Sequence, residues 1–253
     1  MLKNRVIPCL QLLGESLVKT VNFKKHVYIG DPVNTAKIFN ELEADELVIV
    51  DISATSENRE PNFKVLGQLA SECFMPLSYG GGIANLEQAK KIFSIGFEKV
   101  ILNTSTFEHS GLVSEMATLY GSQSVVVAID VKKNFWGQYE VYSHSGTIKE
   151  KKNLVFWAQE LEQRGAGEVL LTSIDREGTW KGFDLDLIKT VVDSIHIPVI
   201  AHGGSATITD IQNAIKVASA SAVALGSMVV FQGKGLGVLV NFPDRKKLEA
   251  ALI

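Results

Sequence analysis

The sequence predicts an α/β fold, a single (β/α)8 TIM barrel made of two duplicated half-barrels. Three observations carry that prediction. Short β-branched apolar runs alternate with longer amphipathic stretches along the whole chain. The apolar runs are near-continuous, as in parallel strands covered on both faces. Eight strand–helix pairs in 253 residues match the size of a closed barrel. An open doubly wound sheet is the alternative.

The first strand is Arg5–Leu10. Glu46–Val50, Pro76–Tyr79, Lys99–Leu102, Ser124–Ile129, Glu168–Leu171, Ile197–Ala201 and Ala222–Leu225 follow. Helical patterns lie between them at Pro32–Leu42, Phe63–Ser71, Leu86–Ile95, Leu112–Tyr120, Asn153–Arg164, Asp184–Ser194 and Thr207–Ala218, with a last one at Pro243–Ala251. Asp31 before Pro32 is a typical cap for the first helix. Three strand pairs repeat at a constant offset of 122 residues: Glu46 with Glu168, Pro76 with Pro198, and Val100 with Ala222. A constant offset across three strands reads as duplication. The expectation is one domain over 1–253, with half-barrels of about 1–122 and 123–253. Long loops follow the first strand (Gln11 to Asp31) and the fifth (Val131 to Lys152), and Gly137–His144 in the second has the look of a small hairpin.

Composition excludes several classes. Lys+Arg 25 against Asp+Glu 28 leaves a net charge of −3, with no basic excess for nucleic acid or an anionic membrane. No apolar run reaches the roughly 20 residues of a membrane span, and the N-terminus has no small-residue cleavage site, so a cytoplasmic protein is expected. Cys9 and Cys73 form no metal or redox spacing and read as reduced core residues. His26, His109, His144 and His196 are scattered, so no metal and no cofactor are expected.

The chemistry is expected at the strand ends. The third strand closes in Gly80-Gly81-Gly82-Ile83 and the seventh in Gly203-Gly204-Ser205. The fourth closes in Asn103-Thr104-Ser105 and the eighth in Gly226-Ser227. Glycine lets backbone N–H groups close on an anion, so each half offers one phosphate cradle. Asp130 closes an apolar fifth strand, where a carboxylate is costly to bury unless paired or used. Gln11 holds the equivalent place on the first strand, and an amide orients but does not transfer a proton. Arg5, Glu46, Lys99 and Glu168 stand at strand starts, two of each sign, and form either a salt-bridged plug or a neutral ring.

Over nearly its whole length the chain resembles the cyclase subunit of imidazole glycerol phosphate synthase. The resemblance lies in Arg5-Val-Ile-Pro-Cys-Leu, Gly30-Asp31-Pro32, Asp45-Glu46 through Asp51, Gly80-Gly-Gly-Ile, Asn103-Thr104 and Gly121 through Asp130, and most diagnostically in Leu171-Thr-Ser-Ile-Asp-Arg-Glu-Gly-Thr179. It implies a heterodimer with a glutaminase, ammonia passing through the barrel, and a phosphorylated acceptor at the top face. By the same resemblance Arg5, Glu46, Lys99 and Glu168 line the ammonia gate, with Glu98 an interface charge. Lys19 covers a bound anion unless it is a solvated loop lysine. Asp51 is a polar active-site position or a local hydrogen-bonder. Thr172, Ser173, Asp175 and Gly178 contact substrate or hold their loop.

The sequence departs from that family where the chemistry lies. Gln11 stands where the family has an aspartate, and His202 where it has serine. The segment from Phe231 to Pro243 lacks the usual family ending. Gln11 fits relatives associated with surface-polysaccharide genes, which help install acetamidino groups on sugars. The alternatives are a true cyclase of histidine biosynthesis and a non-catalytic subunit that relays ammonia. The sugar-phosphate isomerase barrel of the same pathway is disfavoured, because it relies on acidic residues at both strand ends.

Overall fold

The computed structural model describes residues 4–252. The chain runs β1 (Arg5–Leu13), β2 (Ser16–Val21), β3 (Lys24–Gly30), α1 (Pro32–Glu41), β4 (Leu47–Asp51), α2 (Phe63–Glu72), β5 (Leu77–Gly80), α3 (Leu86–Ile95), β6 (Lys99–Leu102), α4 (Thr104–Glu108) and α5 (Leu112–Tyr120). It continues through β7 (Val125–Lys133), β8 (Tyr139–Ser143), β9 (Ile148–Lys149), α6 (Leu154–Gln163), β10 (Glu168–Ser173), α7 (Leu185–Val192), β11 (Val199–His202), α8 (Ile208–Lys216), β12 (Ala222–Leu225), α9 (Ser227–Val230) and α10 (Arg245–Leu252).

Eight parallel strands close on themselves in the order β1, β4, β5, β6, β7, β10, β11, β12 and back to β1. The fold is a (β/α)8 barrel. Alternate side chains on each strand point outward and inward. The outward set meets the helices in the larger core, which includes Leu10, Leu47, Tyr79, Val127 and Trp157. The inward set is a smaller apolar layer of Ile7, Cys9, Val48, Ile101, Val126, Leu170, Ile200, Ala222 and Ala224, flanked by Val50 and Ala128. Among the described residues no helix is long and apolar enough to cross a membrane.

The helices start where the caps say they should. Asp31 accepts from the Asn34 N–H at 2.8 Å, with Pro32 in the first turn. Thr207 and Asp210 form a reciprocal capping box on α8.

The long loops are more ordered than the sequence indicated. The segment after the first strand is a β-meander: β1 runs on to Leu13 and pairs antiparallel with β2, which pairs with β3. The two turns explain it. Gly14 sits at φ 64, and Asn22 and Phe23 at φ 54 and 59, the left-handed pair that a tight hairpin requires. β7 likewise continues to Lys133 and pairs with β8, so Gly137–His144 is one arm of a hairpin whose other arm is β7, not a hairpin of its own as expected. Two short helices, α4 and α9, follow the Asn103 and Gly226 turns and are too brief to show a period.

Register places Gln11 opposite Val50 and Asp130 opposite Thr172. Val50 and Thr172 are themselves 122 residues apart, so Gln11 and Asp130 hold equivalent places in the two halves. The same offset relates two close backbone approaches. A Cβ on Gly81 would lie 2.4 Å from the Asp51 carbonyl oxygen, and one on Gly203 2.7 Å from that of Ser173. Both glycines also have positive φ, +115 and +97. Gly81→Ala should therefore cost about 2 kcal/mol or more, read as a lower urea midpoint. An unchanged midpoint would show that the strand-end turns do not depend on this contact.

Candidate active site

The barrel has two chemically different ends. At the strand starts, Arg5 donates to Glu46 at 2.6 Å and to Glu168 at 2.8 Å. Lys99 closes the ring with Glu46 at 3.1 Å and Glu168 at 3.2 Å. The four charges alternate around the axis and sum to zero. Both carboxylates thus face a cation on each side, which is what allows such charges to be held against the apolar layer above.

At the strand ends lies an open cavity of about 350 Å3. Gly80 at the end of β5 and Gly81 and Gly82 after it line one side, and Asn103, Thr104 and Ser105 after β6 another. Gln11, Asp51, Asp130, Thr172 and His202 contribute to its polar wall, and Cys9, Ala128 and Leu170 carry it down to the apolar layer. Asn103 donates to Asp130 at 3.1 Å. Asp51 is held in place by the N–H groups of Ser53 and Ala54, both at 3.0 Å, and by Arg59 at 2.9 Å.

The remaining mouth residues converge on Glu177. Its carboxylate is fully buried and ion-paired with Lys19. It accepts also from the Gln11 amide at 3.2 Å, the Thr20 hydroxyl at 3.0 Å and the Phe23 N–H at 3.3 Å. The Gln11 oxygen accepts from the Thr20 N–H at 2.9 Å and lies 3.1 Å from the Thr20 hydroxyl, whose one proton it shares with Glu177. That fixes the Gln11 amide with its nitrogen toward Glu177. The same cluster closes a second, minor cavity of about 10 Å3 beside Gly203, Gly204, Gly226 and Ser227. This is at most room for one water.

Burial sets the protonation states. It pushes Asp130 up to about 7; nearby Glu177 adds to the shift, while a hydrogen bond from Thr172 opposes it. It drives His202 down to about 4, helped by Lys19 and opposed by Glu177, so the imidazole is neutral at pH 7. Burial also works against the charge on Glu177, but Lys19 outweighs it and holds that carboxyl below its ordinary value. Burial raises the Cys9 thiol to about 12, which leaves it an inert wall of the cavity. The mouth therefore offers one carboxyl that titrates near neutrality, beside a fixed amide.

Comparison with known proteins finds relatives along the whole chain. The model of a family described as "Histidine biosynthesis protein" matches residues 5–234. The chain belongs to that family. It is 49% identical over 249 residues to a Pseudomonas aeruginosa protein named "Putative imidazole glycerol phosphate synthase subunit hisF2", covering 98% of this chain and 99% of that one. It is 45% identical over 251 residues to a Leptospira borgpetersenii protein named "Putative imidazole glycerol phosphate synthase subunit HisF", covering 99% of each. It is 40% identical over 253 residues to one named subunit hisF3 in Vibrio vulnificus, covering all of this chain and 97% of that one.

Within this histidine biosynthesis family barrel, several expectations need adjusting. Lys19 is neither solvated nor poised over an open cavity; it is buried against Glu177, because the β1–β2–β3 meander folds inward. Asp175 is exposed and accepts from the Lys133 N–H at 2.8 Å, so it holds the β7–β8 hairpin rather than lining either cavity. A Cβ on Gly178 would lie 2.4 Å from the Thr20 carbonyl oxygen, so this glycine lets the meander dock. Gly203, Gly204, Gly226 and Ser227 line the minor cavity, where Lys19 and Glu177 pack beside them. The other glycine cluster, with Asn103 and Thr104, lines open space. His202 touches both cavities.

Several site residues went unassigned by sequence reasoning. Glu177 sits inside the most diagnostic stretch, yet nothing local marks it as buried. Arg59, the cation of the open cavity, comes from a loop of ordinary polarity. His144 and Ser145 reach the rim only because the β8 hairpin folds back, where the His144 N–H donates to Thr104 at 3.0 Å.

Two measurements test these states. The native proton on Asp130 favours folding at low pH. Its contribution is full below the ordinary carboxyl value and is lost as pH rises from about 4 through about 7. Asp130→Asn should remove that decline from a stability–pH profile and be the more stable protein at pH 8; parallel profiles would contradict the assignment. Glu177→Ala strands Lys19 in the interior and should cost roughly 3–5 kcal/mol in chemical denaturation, whereas a loss under about 1 kcal/mol would mean that the pair behaves as an exposed one.

Proposed function

We propose that this chain is the synthase subunit of a glutamine amidotransferase complex, using ammonia from a partner glutaminase on a phosphorylated small molecule. One observation carries the reading: a charge ring at one end of the barrel and a polar cavity with a near-neutral carboxyl at the other, separated by an apolar layer. Ammonia is small and neutral, and an apolar bore passes it at less cost than it would an ion. The Arg5–Glu46–Lys99–Glu168 ring is the entry point facing the glutaminase, and exposed Glu98 beside it is available to that partner. The heterodimer works in the cytoplasm.

At the mouth, Asp130 exchanges protons with the acceptor. At pH 7 it is populated in both forms, as a general acid–base group needs. Thr172 and Asn103 orient it. Gln11 has no proton to give, and its amide is tied to Thr20 and Glu177. A cyclisation that needs two carboxylates lacks one here. This favours a divergent ammonia transfer, of the kind that forms acetamidino groups on sugars for lipopolysaccharide or O-antigen. The names of the relatives favour a second reading, imidazole glycerol phosphate formation in histidine biosynthesis.

The two readings separate in one assay. The chain and its glutaminase are supplied with glutamine and the bis-phosphorylated ribulosyl aminoimidazole carboxamide nucleotide. The unaltered chain should turn over at least about 10²-fold more slowly than Gln11→Asp, and should fail to complement a histidine auxotroph. Robust turnover by the unaltered chain would establish the histidine reading instead.

A further inference from the structure

We infer that His144 is the second proton-transfer group of the mouth, supplying with an imidazole what the Gln11 amide cannot, and that Ser143 and Glu150 are positioning residues that leave its Nε2 free. This rests on the proposed ammonia transfer and adds to it an acceptor whose reacting carbon is a carbonyl.

The ring is set by a chain of contacts separate from the cluster around Glu177. The fully buried Ser143 hydroxyl donates to the Glu150 carboxylate at 2.5 Å and lies 2.9 Å from His144 Nδ1. A hydroxyl has one proton, and a carboxylate can only accept. That proton goes to Glu150, so the hydrogen of the Ser143–His144 contact belongs to Nδ1. Nε2 is left with its lone pair. Glu108, on α4, lies 3.5 Å from Nε2 and is its counter-charge when Nε2 takes a proton.

The backbone holds this ring in the wall of the open cavity, to which Asp130 also contributes. His144, Ser145 and Gly146 are three successive left-handed residues, with φ 49, 54 and 77. Residues with side chains adopt such a run only where the surroundings enforce it. The His144 N–H donates to Thr104 at 3.0 Å, and the Ser145 hydroxyl to the Ile52 carbonyl at 2.9 Å. A Cβ on Gly146 would lie 2.9 Å from the Phe23 ring and 3.1 Å from the Ile174 side chain. The turn after β8 is thus fastened to the segments after β4, β6 and β10 and to the β2–β3 turn, and the imidazole is fastened with it.

Neighbouring groups of that wall are committed elsewhere. Asp51 is tied to Arg59 and to two backbone N–H groups. The Cys9 thiol keeps its proton. His202, driven down to about 4 by burial, takes no proton at pH 7, and its Nδ1 meets the Thr172 hydroxyl at 3.3 Å.

His144 and Asp130 divide one addition between them. The ammonia nitrogen bonds to the carbonyl carbon of the acceptor, and the carbonyl π pair moves to oxygen. Protonated Asp130 gives that oxygen its proton, and Nε2 takes the excess proton from nitrogen. The adduct is neutral. The imidazolium then returns its proton through solvent to the Asp130 carboxylate.

The test reads the ring and the reaction separately. Nitrogen-15 NMR of the full chain should show the neutral His144 ring with its hydrogen on Nδ1. Ser143→Ala should move that hydrogen to Nε2, and Ser143→Thr should keep it on Nδ1. Turnover is followed with ammonium chloride and the bis-phosphorylated ribulosyl aminoimidazole carboxamide nucleotide, whose ribulosyl ketone is the carbonyl. His144→Asn should lower turnover by the otherwise unaltered chain about 10²-fold. In a Gln11→Asp background, where a carboxyl takes that place, it should cost less than about threefold. A neutral ring carrying its hydrogen on Nε2 overturns the inference. So do equal effects in both backgrounds, large or small, and turnover by Gln11→Asp with none by the unaltered chain. Turnover by neither removes the ammonia-transfer reading, and the catalytic role of His144 with it, while the tautomer still decides whether Ser143 and Glu150 set the ring.

Discussion

The buried carboxylate of Glu177 is the constraint on which the mouth of this barrel depends. A carboxylate with almost no access to water must be satisfied by protein, and here Lys19, Gln11, Thr20 and Phe23 all supply donors. Those donors come from β1, β2 and the turn that follows, so their convergence pins the meander to the turn after β10. The same convergence orients the Gln11 amide and fills one side of the mouth with Lys19. Pair energies of this kind reflect specificity more than net stability, since desolvation offsets much of the attraction. What the cluster secures is a single arrangement of the strand ends.

The electrostatics of the two ends differ for a physical reason. At the floor, four charges of alternating sign lie between 10 and 21% exposed and compensate one another. At the mouth, opposite charges are grouped instead into separate pairs, Lys19 with Glu177 and Arg59 with Asp51. Asp130 lies in neither pair. Its nearest donors are neutral, Asn103 and Thr172, and a half-buried carboxyl with no cation beside it is driven toward its protonated form. The isolation of Asp130 from the ion pairs makes it the titrating group of the site.

Much of the barrel was legible from pattern. The eight apolar runs and the helical stretches between them sit close to the observed elements, because near-continuous apolar strands and capped amphipathic helices are local signals. The meander after β1 was not legible as strand. Gly14 and the Asn22-Phe23 turn are its only punctuation, and neither the Lys19 nor the Thr20 side chain is polar-out as a two-residue alternation would place it. Asp130, Asn103 and Thr172 were identified as site residues and do meet at one cavity. Asp175, identified on the same grounds, points away from it, since two residues beyond a strand end the chain has already turned outward.

By itself the sequence determined the barrel, the equivalence of Gln11 with Asp130, and the four charges at the strand starts, because each follows from periodicity, from a constant offset or from a place on a strand. Which groups touch was decided by tertiary structure alone. Lys19 and Glu177 are 158 residues apart, and no local pattern says that a loop lysine folds inward to meet a carboxylate across the barrel mouth. The two glycine clusters look alike as strings of residues. They differ in space because only one of them has a lysine and an imidazole packed over it, and free volume is a property of the assembled neighbours, not of the residues that line it.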